Sequence, residues 1–166
     1  MEIDRNLPVL ITGATGYVAG WVVKHFLEKG FTVHAAIRDA ENKTKRQHLD
    51  QIANNCMGEI KFFESDLLDE GSYSEAMEGC QIVVHTASPF LLETKDPQRD
   101  LIDPALKGTM NVLNSVNKTD TVTRVVITSS VAAIYGDAID SLNVENRTLD
   151  ETLSLIHISE PTRLHC

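Results

Sequence analysis

Val9-Leu10-Ile11-Thr12-Gly13-Ala14-Thr15-Gly16-Tyr17-Val18-Ala19-Gly20 is a short apolar strand, a glycine turn and the opening of a helix, written without a gap. Val9–Thr12 is an unbroken apolar run, the pattern of a parallel strand covered on both faces. Gly13 suits a turn whose backbone angle is closed to other residues. Gly16 has no Cβ, so an anion can come against the main chain there. The N–H groups of Tyr17 and Val18 would point at that anion from a helix N-terminus, where the helix dipole also favours negative charge. Ala19 stands where a third glycine is often found and is small enough for the helix to pack on its strand. Two glycines alone mark only a tight turn. With a strand before, a helix after and a second strand at 32–37, the run predicts a dinucleotide site.

Outward from this run, strand and helix alternate. The first helix carries Val18, Trp21, Val22, Phe26 and Leu27 as a helical stripe and stops at Lys29-Gly30. After the second strand, closed by Arg38-Asp39, a polar helix is expected from about Asn42 to Asn54. Ile60–Glu64 reads as a third strand ending in Ser65-Asp66-Leu67, followed by a short helix near 72–77. Residues 81–85 form a fourth strand with His85 at its end, more in keeping with a packed core position than with a catalyst. A long helix, 98–117, places Leu101, Ile102, Leu106, Met110 and Leu113 on one side, with a kink or late start at Pro104. Val122–Thr128 is the fifth strand and leads into Ser129-Ser130. This alternation implies an α/β, Rossmann-type doubly wound parallel sheet, with right-handed crossovers and ligands beyond the C-terminal strand ends. Those ends carry Gly13–Val18, Arg38, Asp66-Leu67 and Thr128–Ser130.

The chain has 166 residues, one domain's worth, with a formal net charge of -9. Such acidity argues against a nucleic-acid surface. No run approaches the roughly 20 apolar residues of a membrane span. Met1–Arg5 is too charged for a signal peptide. Three cysteines argue against a disulfide framework and make the cytoplasm the default compartment.

Thr12-Gly13-Ala14-Thr15-Gly16-Tyr17-Val18, Ala36–Asp39, Ser65–Leu67, His85-Thr86-Ala87-Ser88-Pro89-Phe90 and Val126–Ser130, in this order and spacing, resemble the extended short-chain dehydrogenase/reductases. Within that family the likeness is to the dihydroflavonol reductase and cinnamoyl-CoA reductase group, over about residues 7–150. The resemblance implies NADP as cofactor, with Arg38 and Lys45 on the 2′-phosphate and Lys43 and Arg46 adding positive charge. An arginine at the end of the second strand suits that phosphate, whereas a carboxylate there suits the ribose of NAD. Asp39, next to Arg38, leaves the NAD alternative open. Asp66 and Leu67 would hold the adenine, although Asp66 also suits a helix N-cap. Ala87 and Ser88 would lie beside the nicotinamide ribose, with Pro89 and Phe90 starting a substrate loop. Thr12, Gly13, Thr15, Gly16, Tyr17, Val18, Thr128 and Ser129 complete the implied cofactor set.

Catalysis in the resembled family uses Ser, Tyr and Lys to reduce a small-molecule carbonyl substrate. The tyrosine is the general acid, the lysine lowers its pKa and binds the ribose, and the serine orients the carbonyl. Ser130 matches that serine, with Ser129 the near alternative and a plain turn the bland one. No Tyr-x-x-x-Lys is present: four positions after Tyr17, Tyr73 and Tyr135 stand Trp21, Met77 and Ile139. Residues 153–163 resemble translated adapter sequence from library preparation. The expected division is therefore an incomplete Rossmann domain over 1–152 and a non-native tail over 153–166, with no metal site drawn from the tail's His157, His165 or Cys166. Two other readings stay open, an NAD-dependent nucleotide-sugar epimerase or dehydratase and a non-catalytic dinucleotide sensor. The sequence sets no oligomeric state.

Overall fold

Residues 3–89, 93–135 and 138–150 are described by the computed structural model, in two units, 1–127 and 128–166. Phe90 of the expected substrate loop and the tail, 153–166, lie outside the described residues. In the first unit β1 (Val9–Thr12), β2 (Val33–Ile37), β3 (Ile60–Glu64), β4 (Ile82–His85) and β5 (Arg124–Ile127) form one parallel sheet. Their order is β3-β2-β1-β4-β5, so the winding reverses between β1 and β4. That reversal opens a crevice at the carboxyl ends of the two central strands. Helices α1 (Tyr17–Glu28), α2 (Lys43–Ala53), α3 (Ser74–Met77) and α4 (Asp103–Asn117) supply the crossovers.

The sheet divides two apolar layers. Val9, Ile11, Val33, Ala35, Ile82 and Val84 pack with Val23 and Leu27 of α1 and Leu49 of α2. Leu10, Ala36 and Val83, pointing the other way, pack with Tyr73, Ala76, Met77 and Val112. Each fully buried aliphatic side chain contributes roughly 1.5–3 kcal/mol relative to exposure, which makes β1 and β4 the rigid floor of the crevice.

Two helices present a different face from the one their apolar residues predict. On α1 the buried side is Ala19, Gly20, Val23 and Leu27, while Val18 and Trp21 are each 58% exposed. Ala19, Val23 and Leu27 pack with the strands, Gly20 lies against His48 of α2, and the indole turns out. On α4 the buried residues are Gly108, Asn111, Val112 and Ser115, whereas Leu106 and Met110, and Ile102 just before the helix, face outward. A Cβ on Gly108 would lie 2.9 Å from Leu67 Cβ, so this helix is pressed against the loop that follows β3. The kink expected near Pro104 is present: Gln98–Ile102 is a π-helical turn, and the α-helix starts at Asp103 with proline in its first turn. Proline has no amide to give to the helical ladder, and the ladder changes from π to α just before it.

β5 is shorter than its sequence implied, ending at Ile127, and Val126 and Ile127 are about half exposed. Among the described residues it pairs with β4 alone and forms one edge of the sheet. In the second unit, 3-10 turns occupy Val131–Ala133, Ala138–Asn143 and Glu145–Arg147.

Candidate functional site

The strand β1 ends in a turn that only glycine makes without strain. Gly13 has φ +63°, and a Cβ there would stand 3.0 Å from both Cα and Cβ of Ala87. The turn is thereby brought against the loop after β4. Gly16 N donates to Gly13 O at 2.9 Å, and Gly16 itself is the N-cap of α1. The first amides of α1 are those that a helix cannot bond internally.

A cavity of about 590 Å³ opens over these elements. Gly13, Thr15 and Gly16 line it from the turn, Arg38 from the end of β2, Asp66 and Leu67 from the end of β3, and Ala87 and Ser88 from the end of β4. Four strand ends that lie far apart in sequence thus share one wall. Tyr17 lines a different groove, between α1 and α2, with Trp21 and His48. Val18 and Lys45 are exposed and line neither. Thr12 is fully buried beneath the turn.

Side chains of the β2–α2 connection are already committed. Asp39 Oδ1 accepts from the Asn42 amide at 3.0 Å, and Asn42 Oδ1 caps α2 by accepting from the Lys45 amide at 3.1 Å. Arg46 does not add a free cation. Its Nη1 donates to Ala40 O at 2.7 Å, and its guanidinium carbon lies 4.8 Å from the centre of the Phe62 ring. Arg46 Nε is buried without a hydrogen bond; Asp50 Oδ2 lies 3.5 Å away, an ion-pair distance without hydrogen-bond geometry. That leaves Arg38, exposed at the cavity rim, as the cation facing the site from β2.

The β3 end is held by a latch that the sequence reading missed. Asn111 Nδ2 reaches the carbonyls of Asp69 at 2.7 Å, Leu67 at 3.2 Å and Asp66 at 3.4 Å, and its Oδ1 accepts from the Gly71 amide at 2.9 Å. A single buried amide on α4 therefore shapes the whole turn. The available signal was an asparagine on the helix face opposite the apolar stripe. Asp66 is not a helix N-cap: α3 starts at Ser74, and Asp66 Oδ1 accepts from the Leu68 amide at 2.8 Å. Ser72 Oγ closes the same turn by donating to Asp66 O at 2.8 Å.

The β4 end is tied to β1. Thr12 Oγ1 lies 2.8 Å from His85 Nδ1, 3.2 Å from the Thr86 amide and 3.1 Å from the Ala87 amide. Thr86 Oγ1 in turn donates to Thr12 O. Burial holds the His85 pKa below the usual imidazole range, which fits the core position read from the sequence. Tyr73, in the cavity floor, has its pKa pushed up to about 12, by burial first and the Asp66 charge second, and stays a neutral phenol. Thr128, Ser129 and Ser130 belong to the second unit, where Ser130 Oγ caps a 3-10 turn by accepting from the Ala132 amide at 3.2 Å. Among the described residues no cluster of His, Cys, Asp and Glu could hold a metal, and no helix is long and apolar enough to cross a membrane.

A parallel sheet in the order 3-2-1-4-5, with a glycine turn, an arginine and a pinned acidic turn around one crevice, defines a Rossmann-type nucleotide-binding fold. Residues 9–159 match the NAD dependent epimerase/dehydratase family, and the chain belongs to that family. It is 48% identical over 126 residues to a cinnamoyl-CoA reductase of Medicago truncatula, covering 76% of this chain and 38% of that protein. A dihydroflavonol 4-reductase of Gerbera hybrida is 38% identical over 136 residues, covering 82% of this chain and 37% of the relative. Among solved structures, Gre2 of Candida albicans in complex with NADPH superposes with TM-score 0.66 at 33% identity, over 78% of this chain and 38% of that one. The chain spans well under half the length of these relatives.

Proposed function

We propose that this chain is the cofactor-binding portion of a reductase that takes NADPH in preference to NADH and delivers hydride to a ketone or aldehyde. The observation that carries the reading is the pairing of Arg38 with Asp39 at the end of β2. Arg38 lines the cavity, whereas Asp39 does not line it and accepts through Oδ1 from the loop amide of Asn42. A guanidinium suits a 2′-phosphate, and a carboxylate turned into its own loop is a poor partner for ribose hydroxyls. The open end of α1 adds amide donors for the pyrophosphate, through Thr15, Gly16 and the amides of Tyr17 and Val18. Asp66 and Leu67 are assigned to the adenine, and Ala87 and Ser88 to the nicotinamide ribose. Lys45 on α2 is assigned to the same phosphate as Arg38. The cofactor supplies the hydride; the protein positions it.

The NADPH complex of the Candida albicans relative supports this assignment, and the named reductases support the reaction class. Ser130, with Thr128 and Ser129 beside it, is assigned to the carbonyl and nicotinamide end, and the acid tyrosine and its lysine to sequence beyond Thr152 in the parent. The first test is a fluorescence titration of the chain with NADPH and NADH. Binding of NADPH at least about tenfold tighter is the expected result. Equal or reversed preference would overturn the NADP reading in favour of an NAD-dependent epimerase or dehydratase. Sequencing the source gene past the Thr152 codon tests the rest, since native coding sequence without Tyr-x-x-x-Lys points to a dinucleotide sensor.

A further inference from the structure

We propose that His85 is a positioning residue that works as a hydrogen-bond acceptor: it orients the Thr12 hydroxyl so that Thr12 can hold the Thr86–Ser88 loop over the glycine turn. Thr12 Oγ1 has three partners, His85 Nδ1 at 2.8 Å and the amides of Thr86 and Ala87 at 3.2 and 3.1 Å. Backbone amides only donate, and a hydroxyl oxygen has two lone pairs and one hydrogen. Both lone pairs are therefore taken by the loop, and the single hydrogen goes to His85. The Nδ1 atom is bare, and the ring carries its proton on Nε2.

A ring protonated at Nδ1 would face an oxygen with no lone pair left. Thr12 would have to release one loop amide to accept the new proton, or the ring would have to turn away from a site where it is only 4% exposed. The loop matters because Ala87 stands against Gly13 and, with Ser88, walls the cavity. The neighbourhood does not compete for this proton. On the same sheet face, β1 contributes Leu10 and Thr12, β2 His34 and Ala36, α3 Ala76 and Met77, and α4 Val112 and Asn111. The titratable groups there are His34, bonded to Ala76 O, and the neutral Tyr73 and Cys80. Across the β4–β5 ladder His85 is opposite Ile127.

The hydrogen-bond assignment stands on geometry alone, while its consequence for NADPH rests on the function proposed above. Two readouts on the full chain keep them apart. Long-range proton–nitrogen NMR should show a bare Nδ1 and a protonated Nε2 for His85, identified by loss of its signals in His85→Asn. Amide exchange at Thr86 and Ala87 should speed up about tenfold in Thr12→Val, the loss of one hydrogen bond's worth of protection. Val83 and Val84 should be unchanged. Thr12→Ser and His85→Asn, which keep a hydroxyl and an acceptor near Nδ1, should restore slow exchange. A proton on Nδ1, or exchange that rises equally along β4, would overturn the proposal. If both signatures appear but NADPH affinity is the same in Thr12→Val as in the unaltered chain, the cofactor assignment of Ala87 and Ser88 fails and the positioning of the loop stands.

Discussion

Arg38 and Asp39 are neighbours with opposite charges at the spot where this fold discriminates its cofactors, and the backbone separates their tasks. Asp39 spends Oδ1 on the Asn42 amide, so its job is to shape the turn into α2. Asn can accept the same bond. Asp39→Asn should therefore leave the NADPH-to-NADH affinity ratio within about threefold of the unaltered chain, less than one hydrogen bond's worth. Arg38→Gln should behave differently. Removing a charge-assisted hydrogen bond costs about 1.5–3 kcal/mol, so NADPH should bind roughly 10- to 100-fold more weakly. NADH, lacking the phosphate, should be nearly unaffected. Titration of both variants with both nucleotides decides the point, and a large effect of Asp39→Asn on NADH would return the carboxylate to the ribose. Arg46 shows why charge near a site is a poor guide: it stacks on Phe62 and bonds Ala40, and so braces the loop that Arg38 leaves from.

At the scale of elements, α4 and the turn after β3 form one unit. Asn111 bonds four backbone groups in that turn, and Gly108 lets the helix approach Leu67. Asn111→Leu strands several of these groups in a poorly solvated place, and a loss of about 2–3 kcal/mol in urea unfolding is expected. NADPH affinity should fall with it, because Asp66 and Leu67 lose their brace; unchanged affinity would detach the latch from the site. Gly108→Ala should destabilise too, with Leu67 displaced. None of this was visible in the chain read alone, because Asn111 and its partners are at least 40 residues apart. What was legible depended on local chemistry. The glycine turn announced β1 and α1, Asn42 announced the start of α2, and Pro104 announced the break before α4. The direction in which a helix faces was not legible from apolar count: α1 buries Ala19, Gly20, Val23 and Leu27 and α4 buries Gly108, Asn111, Val112 and Ser115, which leaves Trp21 and Leu106 outward. The bonds of His85 and Thr12 were hidden likewise, since they join strands 73 positions apart.

For the whole molecule, pH should act through two buried imidazoles. Burial first, then the Lys61 charge, lowers the pKa of His34 against the opposing pull of its bond to Ala76; burial lowers that of His85. In the unfolded chain both return to the ordinary value near 6.5. Between that value and the lowered folded one, the unfolded state binds more protons, so stability rises with pH across this window. The contribution is fully present above about 6.5 and is lost as pH falls through the folded pKa values. Each histidine adds at most about 1.4 kcal/mol per pH unit to the slope. Urea midpoints measured from pH 7.5 to 5.0 should therefore fall on acidification, with His85→Asn making the slope shallower by about one proton and His34→Gln by about another. A slope that both substitutions leave unchanged would mean that both rings take up a proton in the folded state as readily as in the unfolded chain. For His85 that outcome would also mean that the acceptor of the Thr12 hydroxyl is lost below about pH 6.5, so one titration tests the core and the wall of the cavity together.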